Sequence, residues 1–528
     1  MPIPVPPPAK VEHLWRQLLS RPSPEGSLEE ARLGAWLLER LGGLPYFSSR
    51  PACLQRIPVE GNPERCALVA WVQGGQPGPA AVLVARYGTP TAGRYGPLPP
   101  EEASRRRDSG EWVAGWGAAA KAGAAAVLAL IEAWAEHPGA LPGHAVACLV
   151  PGAPDSPEPV RTLAPALTRL VRSAGLQVAA VLAAEPCSPL YPGDPYRYLY
   201  LGAAGWVDLA FYLRGAGPQA AEETAFLAAS LLRRLSWAPD LADAGALPAL
   251  PGWDLPEQEP AFPPLPRAVP GAELLGPGEA AAGFRWYTHT RSPAELACTA
   301  CAAAQAALRD ALHLLRARRH RWRELAGWPP PDPPPVPRVV PLGRLGESPS
   351  PEPVREAPAG PAQKPPQGPE SRAADLLEAA RRAASRWPSG EPLAVLFAFR
   401  WSPRAEPDTS SAAGARLQEA VRAVLREASQ AFPGHPIAVR RYAPWGSCLG
   451  VLGKSPDRGQ EPGLTALMPF EAPAVAPASG GLAGTPGAVL GAYGEHLHTP
   501  AERAHREYAC TVLPWLAAAL VERLLGWP

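Results

Sequence analysis

A chain of 528 residues has room for two or three domains and a large core, and its 50 basic against 49 acidic residues leave a net charge of +1. So even a balance makes no electrostatic case for nucleic acid or an anionic membrane, and neither is expected as a partner. Lysine occurs only at Lys10, Lys121, Lys364 and Lys454 while arginine, alanine and proline abound, a bias under which the 72 prolines do not by themselves mean disorder.

The opening "MPIPVPPPAKVEHLW" lacks the basic-then-apolar order of a secretory signal, and no apolar run is read as reaching the length of a membrane span. A cytoplasmic protein is expected. The eight cysteines are scattered through apolar stretches, as buried free thiols would be, and the single CxxC, Cys298 to Cys301, falls in a helical run without a second pair to complete a zinc site.

Two amphipathic helices come first, "VEHLWRQLLS" and "GSLEEARLGAWLLERLGG", the second opened by a Ser27-x-x-Glu30 capping box. The runs "CALVAWVQGG" and "AAVLVARYG" have the form of buried strands. A long apolar helix, "KAGAAAVLALIEAWAEH", precedes the strand "HAVACLVPG", the helix "PVRTLAPALTRLVRSAG" and the strand "VAAVLAAEP". This alternation predicts an α/β layer with a largely buried sheet.

From Trp206 onward "WVDLAFYLRG", "AAEETAFLAASLLRRL", "GFRWYTHTR" and a long helix from Ser292 predict a smaller inserted α+β domain at 206–327. A Pro-rich connector follows at 328–370, and its "PPPDPPPVPR" is a possible polyproline ligand for aromatic grooves. The α/β pattern resumes at 371–528, expected to share one sheet with 1–205.

The closing stretch "GAYGEHLHTPAERAH" holds His496, His498 and His505. Thr499, Pro500 and Glu502 predict a helix start, with His496 and His498 on the loop before it and His505 on its second turn. Imidazoles so spaced can share one ion, yet zinc wants three or four ligands and no partner carboxylate or thiolate is adjacent.

The order of parts, with "LEEARLGAWLLERLGGLPYF", "EWVAGWG", "VLAAEP", "TRSPAEL" and "GAYGEHLH", resembles the co-catalytic zinc peptidases of family M-20, the aminoacylase and succinyl-diaminopimelate desuccinylase type, and within them the arginine-utilisation branch. The resemblance implies a mixed, largely parallel sheet with helices on both faces and an inserted dimerisation or lid domain. It also implies two metal ions at the carboxyl ends of sheet strands, with a glutamate as general base.

Against the family's ligand pattern the chain departs at most positions. The His-x-Asp positions carry Arg86 and Gly88, the bridging-aspartate position falls on Ala119, and the Glu-Glu pair is replaced by Ala153, at the general-base position, and Pro154. Glu185 and His498 match. These are vestigial ligand positions on this reading, so no cofactor is expected, the alternative being zinc held by Glu185, His496, His498 and His505 with Asp155 or Asp194 adding oxygen. A non-hydrolytic pseudoenzyme is expected, binding an amino-acid or peptide-like ligand and assembling as a homodimer or as a heteromer with an active relative. An active amidohydrolase with a rebuilt site is the second reading, a Pro-rich interaction protein the third. Arg86 is further expected to pair with Glu185 where the family places a metal.

Overall fold

Four runs whose one interior charge is Glu185 form the parallel centre of one sheet, because only strands covered on both faces can be apolar at nearly every position. The computed structural model describes residues 2–90, 111–153, 156–190, 193–215, 220–236, 278–329, 338–342, 369–385, 392–444, 446–453, 484–497 and 502–526, with short pieces at 246–248, 258–260, 267–268, 274–276, 387 and 482. The sheet joins β1 (Leu54–Val59), β2 (Asn62–Val72), β3 (Pro79–Arg86), β4 (Trp112–Ala114), β5 (His144–Val150), β6 (Gln177–Cys187), β7 (Arg197–Tyr200), β16 (Ile437–Arg440), β17 (Gly487–Glu495) and β18 (Arg503–His505). Its order is β1-β2-β5-β3-β6-β17-β18-β4, with β7 between β17 and β16. Strands β5, β3, β6 and β17 run parallel and β2 antiparallel at their side.

Alternation along β3 shows why both faces are buried. Ala81, Leu83 and Ala85 join a core with α1 (Pro8–Leu19), α2 (Leu28–Gly42), α3 (Pro45–Ser49), α4 (Ala118–Glu136), α9 (Ala412–Ala431) and α11 (Leu513–Leu525). Ala80, Val82 and Val84 face a second core with α5 (Glu158–Ser173) and the short α10 (Cys448–Leu452). Arg86, two residues beyond Val84, continues that second face.

A second sheet lies between, in order β11-β13-β8-β15-β14 with β12 also on β13: β8 (Gly205–Arg214), β11 (Arg267–Ala268), β12 (Leu274–Gly276), β13 (Glu279–Thr288), β14 (Arg338–Pro341) and β15 (Leu393–Ser402). Helices α6 (Ala220–Ser236) and α7 (Pro293–Leu325) cover one face, and α8 (Pro369–Ser385) the other. A separate two-stranded ladder pairs β9 (Ala246–Pro248) with β10 (Gln258–Pro260).

Three expectations need correction. The first concerns the return to the large sheet, which comes after residue 402 and not at 371, because β15 pairs along β8 from Leu393↔Arg214 to Ser402↔Trp206 and α8 packs behind it. A run such as "PLAVLFAFRW" satisfies either sheet, and periodicity does not say which partner it takes. For the same reason β14, inside the expected 328–370 connector, pairs parallel with β15; the polyproline run at 330–337 lies outside the described residues. Second, the strand in "GFRWYTHTR", a candidate edge for dimer pairing on the sequence, is β13, which pairs along its whole length with β8 on one side and at Glu279, Ala280, Phe284 and Arg285 with β12 and β11 on the other. Third, two helical stretches, 118–136 and 508–525, are long and apolar enough to cross a membrane, but 100% and 72% of them is buried inside the fold. They read as core helices, since helix α4 is sheathed by the sheet and its neighbours on every side.

Candidate functional site

Parallel pairing sets the candidate site at the carboxyl ends of β3, β6 and β17. Ala85 lies beside Ala184 and Gly491 beside Glu185, so Arg86 and Glu185 come out on one face of adjacent strands. Arg86 Nε stands 3.8 Å from Glu185 Oε1, both side chains at most 2% exposed. The ion pair expected from the sequence is therefore present, but as a single contact and not as two parallel hydrogen bonds, because Oε1 also accepts from the backbone N–H of Cys448 at 2.9 Å. Cys448 opens α10, behind Ser447, whose hydroxyl accepts from Leu449 N. Burial raises the Cys448 thiol well above its ordinary pKa, which makes it an inert core group.

Above the pair, Trp206 of the second sheet closes the space. A Cβ at Gly446 would lie 2.1 Å from Trp206 Nε1, so only glycine lets the indole come this close. Arg285 stacks 4.1 Å over the same ring and holds Asp208 by two hydrogen bonds of 2.5 and 2.6 Å. The cleft left between Arg86, Pro157, Trp206, Ser402, Gly446 and Ser447 is too narrow to take a water molecule.

The position expected for a carboxylate ligand, Gly88, is filled from another direction. Glu30, fully buried on α2, accepts from Arg65 Nε at 2.6 Å, from Gly26 N at 3.0 Å and from Gly152 N at 2.5 Å. A Cβ on Gly88 would meet Glu30 Oε1 at 2.3 Å and Gly152 N at 2.5 Å, so no aspartate fits there unless this network moves. The capping box is thus half formed. Ser27 accepts from Glu30 N, whereas the Glu30 carboxylate turns inward to the ion pair. Glu30 and Arg65 are the residues sequence reading missed, and the only signal was an arginine inside an apolar strand.

At the start of α4, Gly117 caps with no side chain of its own, and Glu502 Oε1 takes the Ala119 N–H at 2.9 Å. A carboxylate from the end of the chain thus sits on the helix terminus where the resemblance places a bridging aspartate. Lys121, one turn along, is 2% exposed and donates to Leu18 O at 3.0 Å and Arg21 O at 2.7 Å, tying α1 to α4. Burial, partly offset by Glu502, pushes it down to about 7 from 10.5. Between those values the unfolded chain holds a proton that the folded chain does not, so this residue adds stability as pH rises from 7 toward 10.5. We expect the stability of the parent relative to Lys121→Met to increase over that window in paired chemical-denaturation curves, and a difference independent of pH would contradict it.

Among the described residues, His496 and His505 belong to no group of three or more metal-ligating side chains. Residues 502–505 form no helix start: Glu502 is followed by β18, antiparallel to β17 and β4, and helix begins after His505. A carboxylate engaged at another helix terminus is unavailable for its own capping box. His505 instead meets Glu111 at 3.2 Å through Nε2 and accepts from Tyr508 N through Nδ1, its pKa lowered by burial and by His435, whose ring lies 5.0 Å away. His496 sits at φ 54° just past β17, while His498, Pro154 and Asp155 lie outside the described residues. Asp194 accepts from Leu190 N, Tyr196 N and the Tyr198 hydroxyl, a turn-building role. Ala153 is buried beside Gly152.

No protein-family model matches the chain. Solved structures sharing its architecture along nearly the whole length include the di-peptidase Dug1p of Saccharomyces cerevisiae (TM-score 0.53, 9% identity, 99% of this chain and 98% of that one). They also include the M20 family metallo-carboxypeptidase Sso-CP2 of Sulfolobus solfataricus (0.50, 11%, 98% of each) and human carnosine dipeptidase 1 (0.50, 11%, 98% and 97%). The chain has the fold of M20 peptidases. In sequence it is similar to Protein RocB of Bacillus subtilis strain 168, 26% identical over 230 residues, covering 40% of this chain and 41% of that protein. It is also similar to the uncharacterized protein YqjN of the same strain, 25% identical over 240 residues, covering 42% and 43%. The chain thus spans about two fifths of the length of the curated relatives it matches. The resemblance drawn from motifs, to M-20 peptidases of the RocB type, agrees with both findings.

The expectation of no cofactor is corrected by these neighbours: the fold is shared with a metallo-carboxypeptidase, so a metal such as zinc belongs to what this architecture carries. Whether this chain's residues fit one is a separate matter. Among the described residues no group of three or more His, Cys, Asp or Glu side chains is placed to hold an ion. Glu185 is engaged by Arg86 and Cys448, and Gly88 has no room for a carboxylate. The described strand ends do not fit a two-metal centre, and no chemical step is derived through one.

Proposed function

We propose that this chain uses the M20 peptidase fold for binding or assembly and does not hydrolyse amide bonds. What supports the reading is that the protein's own groups occupy the strand-end positions where such chemistry would sit: Arg86 against Glu185, Glu30 against Gly88 and Glu502 on the Ala119 amide. Hydrolysis needs an activated water and an acceptor for its proton, and Ala153, at the expected general-base position, has no titratable group. An amino-acid or peptide-like ligand remains the expected class, and pairing with a second copy or an active relative is proposed through the second sheet, whose outer strands among those described are β14 at one edge and β11 and β12 at the other. A bound metal is compatible with this reading.

The test is turnover of N-acyl amino acids and dipeptides by the full chain with zinc, manganese or cobalt added. We expect none above background. Metal-stimulated hydrolysis that co-purifies with the protein and disappears in Glu185→Gln would establish the rebuilt-site alternative instead.

A further inference from the structure

The even net charge conceals a local concentration at the end of α7. From Ala317 to Trp328 no residue is buried, so the helix continues past the sheet for its last two turns, with no covering element among the described residues. Leu314, Trp322, Leu325 and Trp328, 65 to 75% exposed, are half of the eight large apolar side chains exposed among the described residues. Leu308 and Leu315 lie buried on the face that Trp322 continues seven residues on, so the core stripe runs on into exposure among the described residues. Between Leu314 and Trp328 stand Arg316, Arg318, Arg319, Arg321 and Arg323 against a single acid, Glu324. Arg319 is paired with Glu223 and Arg323 donates to Pro329 O, while Arg318 and Arg321 stand exposed.

Arg316, Arg318, Arg319 and Arg321 precede Trp322, Arg323 follows it, and Leu325 lies about 10 Å along the axis from Arg318 at 1.5 Å per residue, with Trp328 just after the helix end. A second copy docked end to end would set arginines against arginines. An apolar tip set among basic residues matches a bilayer, whose interface takes indoles and whose anionic headgroups take guanidinium groups.

We propose that the projecting end of α7 is a peripheral docking site for an anionic lipid surface. The experiment is co-sedimentation of the full chain with vesicles of phosphatidylcholine alone and of phosphatidylcholine mixed with phosphatidylglycerol. Binding to the anionic vesicles only is expected, weakened as salt rises from about 0.1 to about 0.5 M. Both Trp322→Ser/Leu325→Ser/Trp328→Ser and Arg318→Glu/Arg321→Glu should lose at least about tenfold in affinity, since each removes one of the two attractions. These side chains are exposed, so the fold is unaffected, which a parent-like melting curve checks. The proposal is overturned if the parent ignores anionic vesicles, if the variants bind like the parent, or if the apolar variant changes only the oligomeric mass, which would make the tip a contact between copies.

Discussion

Replacing Arg86 with alanine is expected to destabilise the protein by about 3–5 kcal/mol, measured by chemical denaturation near neutral pH. The side chain is 2% exposed and Glu185 is fully buried, so its removal leaves a carboxylate whose second oxygen already has no hydrogen-bond partner among the described residues. Among the described residues, only the Cys448 amide would remain to hold it. Because Arg86 meets Glu185 at 3.8 Å by one contact, the lower end of that range is expected. The double change Arg86→Leu with Glu185→Leu should recover part of the loss. It removes both charges but strands the Cys448 N–H, a residual cost of about 1–3 kcal/mol. A single-variant curve indistinguishable from the parent would show that the pair carries no structural charge balance.

Glu30→Ala is expected to cost a similar amount, about 3–5 kcal/mol, for a different reason. One carboxylate serves Arg65, Gly26 and Gly152 together, so its loss strands a guanidinium that is 7% exposed and two backbone donors from two separate loops. No apolar pair can restore the amide contacts, and Glu30→Leu with Arg65→Leu should therefore recover less than the double change at Arg86 and Glu185. Equal recovery in the two cycles would mean that the Gly152 contact contributes nothing. The second cycle bears on function as well, since Glu30 occupies the space a carboxylate at Gly88 would need.

Much of the fold was legible before any coordinates. The apolar runs at β2, β3, β5, β6, β8, β13 and β15 and the helices between them fall where period and punctuation place them, since burial on two faces forces continuous apolar sequence. Several strands went unread, β1, β4, β7, β14, β17 and β18 among them. Strand β17, "GAVLGAYGE", carries three glycines and was taken with the loop that follows, although a Cβ at Gly491 would collide with Cys187 at 2.3 Å and the glycine marks tight strand packing. At four residues, β7 is too short to show a period.

The site was legible in part. The departures from the ligand pattern at Arg86, Gly88 and Ala119 are what the resemblance implies, and pairing of Arg86 with Glu185 followed from the two strand ends being neighbours. What replaces the missing ligands was not legible, because Glu30 and Glu502 each fit a local capping signature and each spends its carboxylate on a distant partner instead.

By itself the sequence determined the identity of most elements and the burial of the parallel strands, which depend on residue type and local period. Tertiary structure alone decided which sheet receives 369–402, which carboxylate reaches which amide across 122 and 383 residues, and that α7 outruns its domain. Those outcomes depend on strand register and on contacts between segments far apart in the chain, and a local pattern carries no information about a partner it has not yet met.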